Sequence, residues 1–104
     1  MVGGGKDREE MRIYISGPIT NVPDYKEKFA IAEQNLKAKY PDAEIINPTV
    51  LDKLPLEYDE YMKLDLMLLD MCEGIYMLKD WEDSKGANRE YGYAIAKGKA
   101  IYFE

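Results

Sequence analysis

GIYMLKDWEDSKGANREYGYAIAKGKAIYF, residues 74–103, holds two strand-forming runs with a single helix between them. The first run, Gly74-Ile75-Tyr76-Met77-Leu78, is short, apolar and followed by a polar loop, as a buried strand requires. Ser84 is a good helix N-cap, and the helix it opens is predicted to end near Lys97-Gly98, because glycine suits the position after a helix. Lys99 to Phe103 then reads as a second strand. Two strands joined through a helix cannot form a hairpin. The crossover lays them parallel.

Working outward, the same alternation extends to the start of the chain. Arg12-Ile13-Tyr14-Ile15-Ser16 is a strand stopped by Gly17-Pro18. Tyr25, Phe29, Ala32, Leu36 and Tyr40 recur at helical spacing, and Pro41 ends that helix. Ala43 to Asn47 is a strand closed by Asn47-Pro48, and another helix runs from about Glu57 to Cys72. Its later half, Leu64 to Cys72, is apolar nearly all round. That predicts burial on two sides and, in so small a domain, a subunit interface and a homo-oligomer. The order β-α-β-α-β-α-β predicts an α/β domain over residues 11–104 with a parallel sheet of about four strands. Residues 1–10, MVGGGKDREE, show no apolar periodicity and are expected to be a disordered lead. Parallel sheets bind ligands beyond the carboxyl ends of their strands. Chemistry is therefore expected in three loops: Gly17–Tyr25, Asn47–Pro55 and Lys79–Ser84.

Composition narrows that chemistry. The 104 residues suit one domain, and 46% hydrophobic with 33% charged is a globular balance. Histidine is absent and Cys72 is the single cysteine, so histidine-based triads and thiolate zinc clusters are excluded. Acid–base work falls to carboxylates, tyrosines or lysines. A formal charge of −6 repels a nucleic-acid polymer overall, yet a local site of amides and one or two cations can hold a small phosphorylated ligand. No apolar run approaches the length of a membrane span and no signal peptide opens the sequence, so a cytoplasmic protein without membrane contact is expected.

Several residues stand at the predicted site, each with a plainer alternative beside it. Ser16-Gly17-Pro18-Ile19 follows the first strand, where glycine lets a ligand approach the backbone or simply ends a strand. Ser84, with the amides of Gly86 and Ala87 and the nearby Lys85 and Arg89, offers a helix N-terminus to a phosphate or merely caps its helix. Ala87, Glu90, Ala94 and Gly98 share one helical stripe. A carboxylate among small inward residues leaves room for a ligand, or is a structural group paired within the core. Asp65 sits in the apolar part of the second helix, facing either a sugar hydroxyl or an ion-pair partner. Tyr14 places a phenol near the same pocket or packs as core.

Taken together, IYISGPIT (residues 13–20), DLMLLDMCEGIYML (65–78) and DSKGANREYGYAIAKGKAIYF (83–103) resemble the nucleoside 2-deoxyribosyltransferase superfamily over roughly Arg12 to Phe103. The most specific match is Glu90-Tyr91-Gly92-Tyr93-Ala94 followed by Lys97-Gly98-Lys99. The resemblance implies a single-domain, flavodoxin/Rossmann-like three-layer sandwich. It further implies that Glu90 attacks the anomeric carbon and forms a covalent glycosyl-enzyme, with Tyr14 orienting it and Asp65 holding a sugar hydroxyl or base edge. Hydrolysis or transfer to another base would follow, without metal or organic cofactor. Six residues before Glu90 stands Ser84, as in the deoxynucleoside 5′-monophosphate N-glycosidases, where the transferases of free nucleosides carry a carboxylate; Asp83, one residue earlier, leaves that second branch open. Thr20 stands where those glycosidases carry an arginine. A neighbouring subunit's C-terminal region completes the site in the family, whereas this sequence stops at Glu104. The alternative on the same scaffold is a non-catalytic nucleotide-binding protein that senses or sequesters its ligand.

Overall fold

In the computed structural model, residues 11–104 are described, and the disordered lead expected over residues 1–10 lies outside them. Strand β1 (Arg12–Ser16) is followed by α1 (Tyr25–Lys39), β2 (Glu44–Ile46), a 3-10 turn over Pro48–Lys53, and α2 (Tyr58–Asp70). Strand β3 (Gly74–Met77), a short 3-10 turn at Trp81–Asp83, α3 (Lys85–Ala96) and β4 (Ala100–Phe103) complete the domain. The four strands are all parallel, in the order β2-β1-β3-β4. This is the α/β sandwich with a four-stranded parallel sheet expected from the alternation of elements.

The strand order reverses direction once. β2 lies on one side of β1, and the chain then crosses back to place β3 on the other side. Right-handed crossovers in opposite directions put their helices on opposite faces of a sheet. Accordingly, α1 packs Phe29, Ala32 and Leu36 against Ile13 and Ile15. The other face meets α2 and α3, whose Leu69, Ala87 and Ala94 pack with Tyr14, Ile75 and Met77. Each large aliphatic or aromatic side chain buried in this way stabilises the fold by about 1.5–3 kcal/mol. The reversal opens a crevice at the carboxyl ends of β1 and β3, and the site lies there.

Local chemistry sets the ends of the elements. The Asn47 side-chain oxygen accepts the Thr49 N–H at 3.0 Å, which starts the 3-10 turn and ends β2 one residue before the predicted boundary. Glu57 and Glu60 form a capping box at the head of α2. Gly98, at φ +70°, lets the chain leave α3 toward β4.

Within a single chain α2 buries Met62 and Leu69 on its sheet side, whereas Met67, and Met71 just past the helix, are 62% and 51% exposed. α2 and α3 share one sheet face, and among the described residues no further element packs over the outer side of α2. Among the described residues, no helix is long and apolar enough to cross a membrane.

Candidate active site

β1 alternates its side chains between the two sheet faces, so Tyr14 and Ser16 both point toward α3. There they meet Glu90, which is only 5% exposed. The Ser16 hydroxyl donates to Glu90 Oε1 at 2.6 Å, and the Tyr14 hydroxyl donates to Oε2 at 2.8 Å. Both carboxylate oxygens are thereby fixed by rigid donors on a central strand. Among the described residues, no buried side-chain nitrogen or oxygen lacks a partner.

Above this group lies a cleft of about 320 Å³. Glu90, Asp65 and Asp52 bring three carboxylates to its wall, from α3, α2 and the turn after β2. Burial pushes Glu90 up to about 7 from 4.5; the Ser16 and Tyr14 hydrogen bonds oppose that shift, while the Asp65 charge adds to it. Asp65 is likewise pushed up to about 7, by burial first and then by the charge of Asp52. The Tyr14 phenol is raised well above its ordinary value by burial and by Glu90, so it remains a donor. Both carboxyls are thus brought close to neutral pH, where such a group can take up or give up a proton. Among the described residues, no group of three or more metal-ligating side chains is placed to hold a metal ion.

All three predicted loops reach this region. Gly17, Ile19 and Ala87 line the cleft, while Pro18 lines an adjacent chamber of about 710 Å³. Ser84 and Gly86 border both spaces. Ser16 does not line the cleft and acts beneath it, on Glu90. Gly17 has a second role that its sequence context did not indicate. A Cβ there would stand 2.7 Å from Leu78 Cβ, so glycine is needed for β1 and β3 to leave the sheet side by side. Ser84 Oγ accepts the Ala87 N–H at 3.1 Å, and the first intrahelical bond runs from Asn88 N–H to Ser84 O. The Lys85 and Gly86 amides precede that bond and stand at the positive end of the helix. Arg89 is exposed, outside the lining of either space, with its guanidinium 5.8 Å from the Tyr58 ring centre.

Sequence reasoning missed a second group. The Tyr25 hydroxyl donates to Asp52 at 2.5 Å, which pushes its phenol up to about 12, and Lys26 approaches the same carboxylate at 3.9 Å. The Tyr61 hydroxyl donates to the Leu54 carbonyl. Tyr25, Asp52 and Tyr61 all line the cleft. The signals for them were the positions of Tyr25 and Asp52 within two of the predicted loops.

The model of a family described as a domain of unknown function (DUF4406) matches residues 11–103. No curated protein matches the chain. Among solved structures, the chain is similar to a 2-deoxyribosyltransferase from Leishmania mexicana, with a TM-score of 0.69 and 26% identity. The likeness covers 89% of this chain and 63% of that one, so the chain spans less than two thirds of that protein's length. The deoxyribosyltransferase-like fold expected from the sequence is borne out.

Proposed function

The chain belongs to the DUF4406 family, and we propose that it cleaves the N-glycosidic bond of a (deoxy)nucleoside 5′-monophosphate with Glu90 as nucleophile. The observation that carries this reading is the Glu90 carboxylate, gripped at both oxygens by Tyr14 and Ser16 and bordering a cleft it shares with Asp65. Similarity to a 2-deoxyribosyltransferase supports glycosyl chemistry on this scaffold.

In the proposed reaction, one Glu90 oxygen attacks the anomeric carbon. The bond to the base nitrogen breaks, its electron pair leaves with the base, and Asp65 supplies the proton the base needs. The resulting glycosyl ester is opened by water, which returns a proton to Asp65 and releases the sugar and the Glu90 carboxylate. A second base in place of water completes a transfer instead. This is the two-step route of retaining glycosidases. The 5′-phosphate is held by Ser84 and the free amides of Lys85 and Gly86, where a helix terminus favours a dianion. The exposed Met67 and Met71 support a homo-oligomer as the working assembly.

Incubating the protein with each nucleoside and nucleoside 5′-monophosphate, followed by chromatography for free base, tests the reaction. Release from monophosphates in preference to nucleosides is expected, with a mass shift on the Glu90 peptide when a 2-fluoro sugar traps the ester. Tight binding with no release from any of them would replace this reading with a nucleotide-binding protein.

A further inference from the structure

The chamber of about 710 Å³ beside the cleft has more than twice the cleft's volume, and Glu90 borders the cleft but not the chamber. The two spaces meet where the phosphate is expected, because Ser84, Gly86, Thr20 and Tyr58 border both. A group joined to the far side of a phosphate held there would enter the chamber. Lysines reach it from three separate elements: Lys28 from α1, Lys79 from the loop after β3, and Lys85 from the head of α3. Lys28 has an exposed ion pair with Asp24 at 3.9 Å, a contact of little strength. Among the described residues, neither Lys79 nor Lys85 has a carboxylate within salt-bridge distance.

Asp80, Asp83 and Glu104 border the same chamber, so three cations face three carboxylates. Glu104 already accepts the Lys79 backbone N–H at 2.7 Å. A balanced wall of this kind does not suit a highly charged triphosphate tail. It suits one further phosphate near the lysines, leading to a group that is neutral overall. Val22, Ile31 and Leu78 supply apolar surface for such a group to lie on.

We infer that the ligand is a nucleotide whose 5′-phosphate is extended by a second phosphate carrying a neutral, partly apolar group, of the dinucleoside pyrophosphate type. This deepens the proposed function and rests on its placement of the phosphate at Ser84 and Gly86. The distal group lies in the chamber while the scissile bond stays at Glu90.

Calorimetry on the full chain with a nucleoside monophosphate, the matching diphosphate and the matching dinucleoside pyrophosphate tests it. The pyrophosphate is expected to bind about tenfold or more tighter than the monophosphate, with the plain diphosphate between them. Replacing both Lys28 and Lys79 with alanine is expected to remove most of that gain while changing monophosphate affinity less than about threefold. Ile31→Glu, an exposed position that places no burden on folding, is expected to weaken the dinucleoside ligand more than the diphosphate. Equal affinities for all three ligands, or a gain indifferent to both variants, would overturn the inference. Base release from monophosphates with no pyrophosphate preference would leave the proposed reaction standing and remove this extension. A lysine-dependent pyrophosphate preference without any base release would do the reverse.

Discussion

On one face of β1, Ile13 and Ile15 meet Phe29, Ala32 and Leu36 of α1, an entirely apolar contact. On the other, Tyr14 and Ser16 meet Glu90 among the small side chains of α3. All four strand residues are buried to within about one per cent. Burial therefore does not separate the two faces; their chemistry does. A doubly covered strand needs apolar residues on both sides for stability alone. Polar side chains at alternate positions of this strand mark the face on which a buried carboxylate is held. The α1 face holds the sheet together, and the α3 face holds a carboxylate in place.

The strongest way to break this contrast is Glu90→Gln. Base release is expected to fall by about three orders of magnitude or more, since no attacking oxygen of comparable charge remains, and chromatography reads the loss. Folding should respond in the opposite sense. A carboxyl whose folded pKa is raised binds more protons in the native state than in the unfolded chain. The stability it adds is fully present below about pH 4.5 and is lost as pH rises through about 7. Asp65 acts with the same sign. Urea unfolding of the wild type should therefore show stability falling from pH 4.5 to 8, with a shallower fall in Glu90→Gln.

The α1 face should give the complementary result. Phe29→Ala removes a fully buried ring and is expected to cost about 3–5 kcal/mol in urea unfolding, with the pH slope between 4.5 and 8 unchanged. A slope altered as much as by Glu90→Gln would mean that the two faces are not separable.

A smaller change sharpens the comparison. Tyr14→Phe keeps the ring packing and deletes one donor to Glu90, at about 1 kcal/mol in stability. That hydrogen bond pulls the Glu90 pKa down, so its loss should move the ascending limb of the pH–rate profile to higher pH. A profile that stays in place would show that Ser16 alone sets the nucleophile.

The smallest effect concerns the helix that carries Glu90. Ser84→Asp keeps a capping oxygen and is expected to leave stability within about 0.5 kcal/mol. It should weaken a nucleoside monophosphate more than the free nucleoside in calorimetry, because like charges then meet. Equal losses would reduce Ser84 to a cap.

Part of this site was legible because its signals are local. Ser84 caps the helix whose spacing puts Glu90 in line with Ala87 and Ala94, and Tyr14 was placed near the same pocket, whereas the Ser16 hydroxyl was read with the turn after the strand and its bond to Glu90 was not foreseen. The Tyr25–Asp52 contact was not legible, since it joins residues 27 positions apart across a 3-10 turn whose shape no periodicity encodes. The need for glycine at position 17 was hidden for the same reason: it arises from Leu78, just past the end of β3. Apolar content marks which residues of α2 avoid water and does not say what covers Met67, which the single chain leaves exposed.

The absence of histidine gives the carboxyl pair a further consequence. Unperturbed carboxyl, phenol and ammonium groups exchange almost no protons between pH 6 and 8, the interval histidine would occupy. Glu90 and Asp65, each pushed up to about 7, exchange protons within it. The dianion proposed to bind near them would change how many protons they hold. Binding heats measured in buffers of different ionisation enthalpy would then count protons taken up by the site itself, so the protein would report the state of its own carboxyl pair without a label.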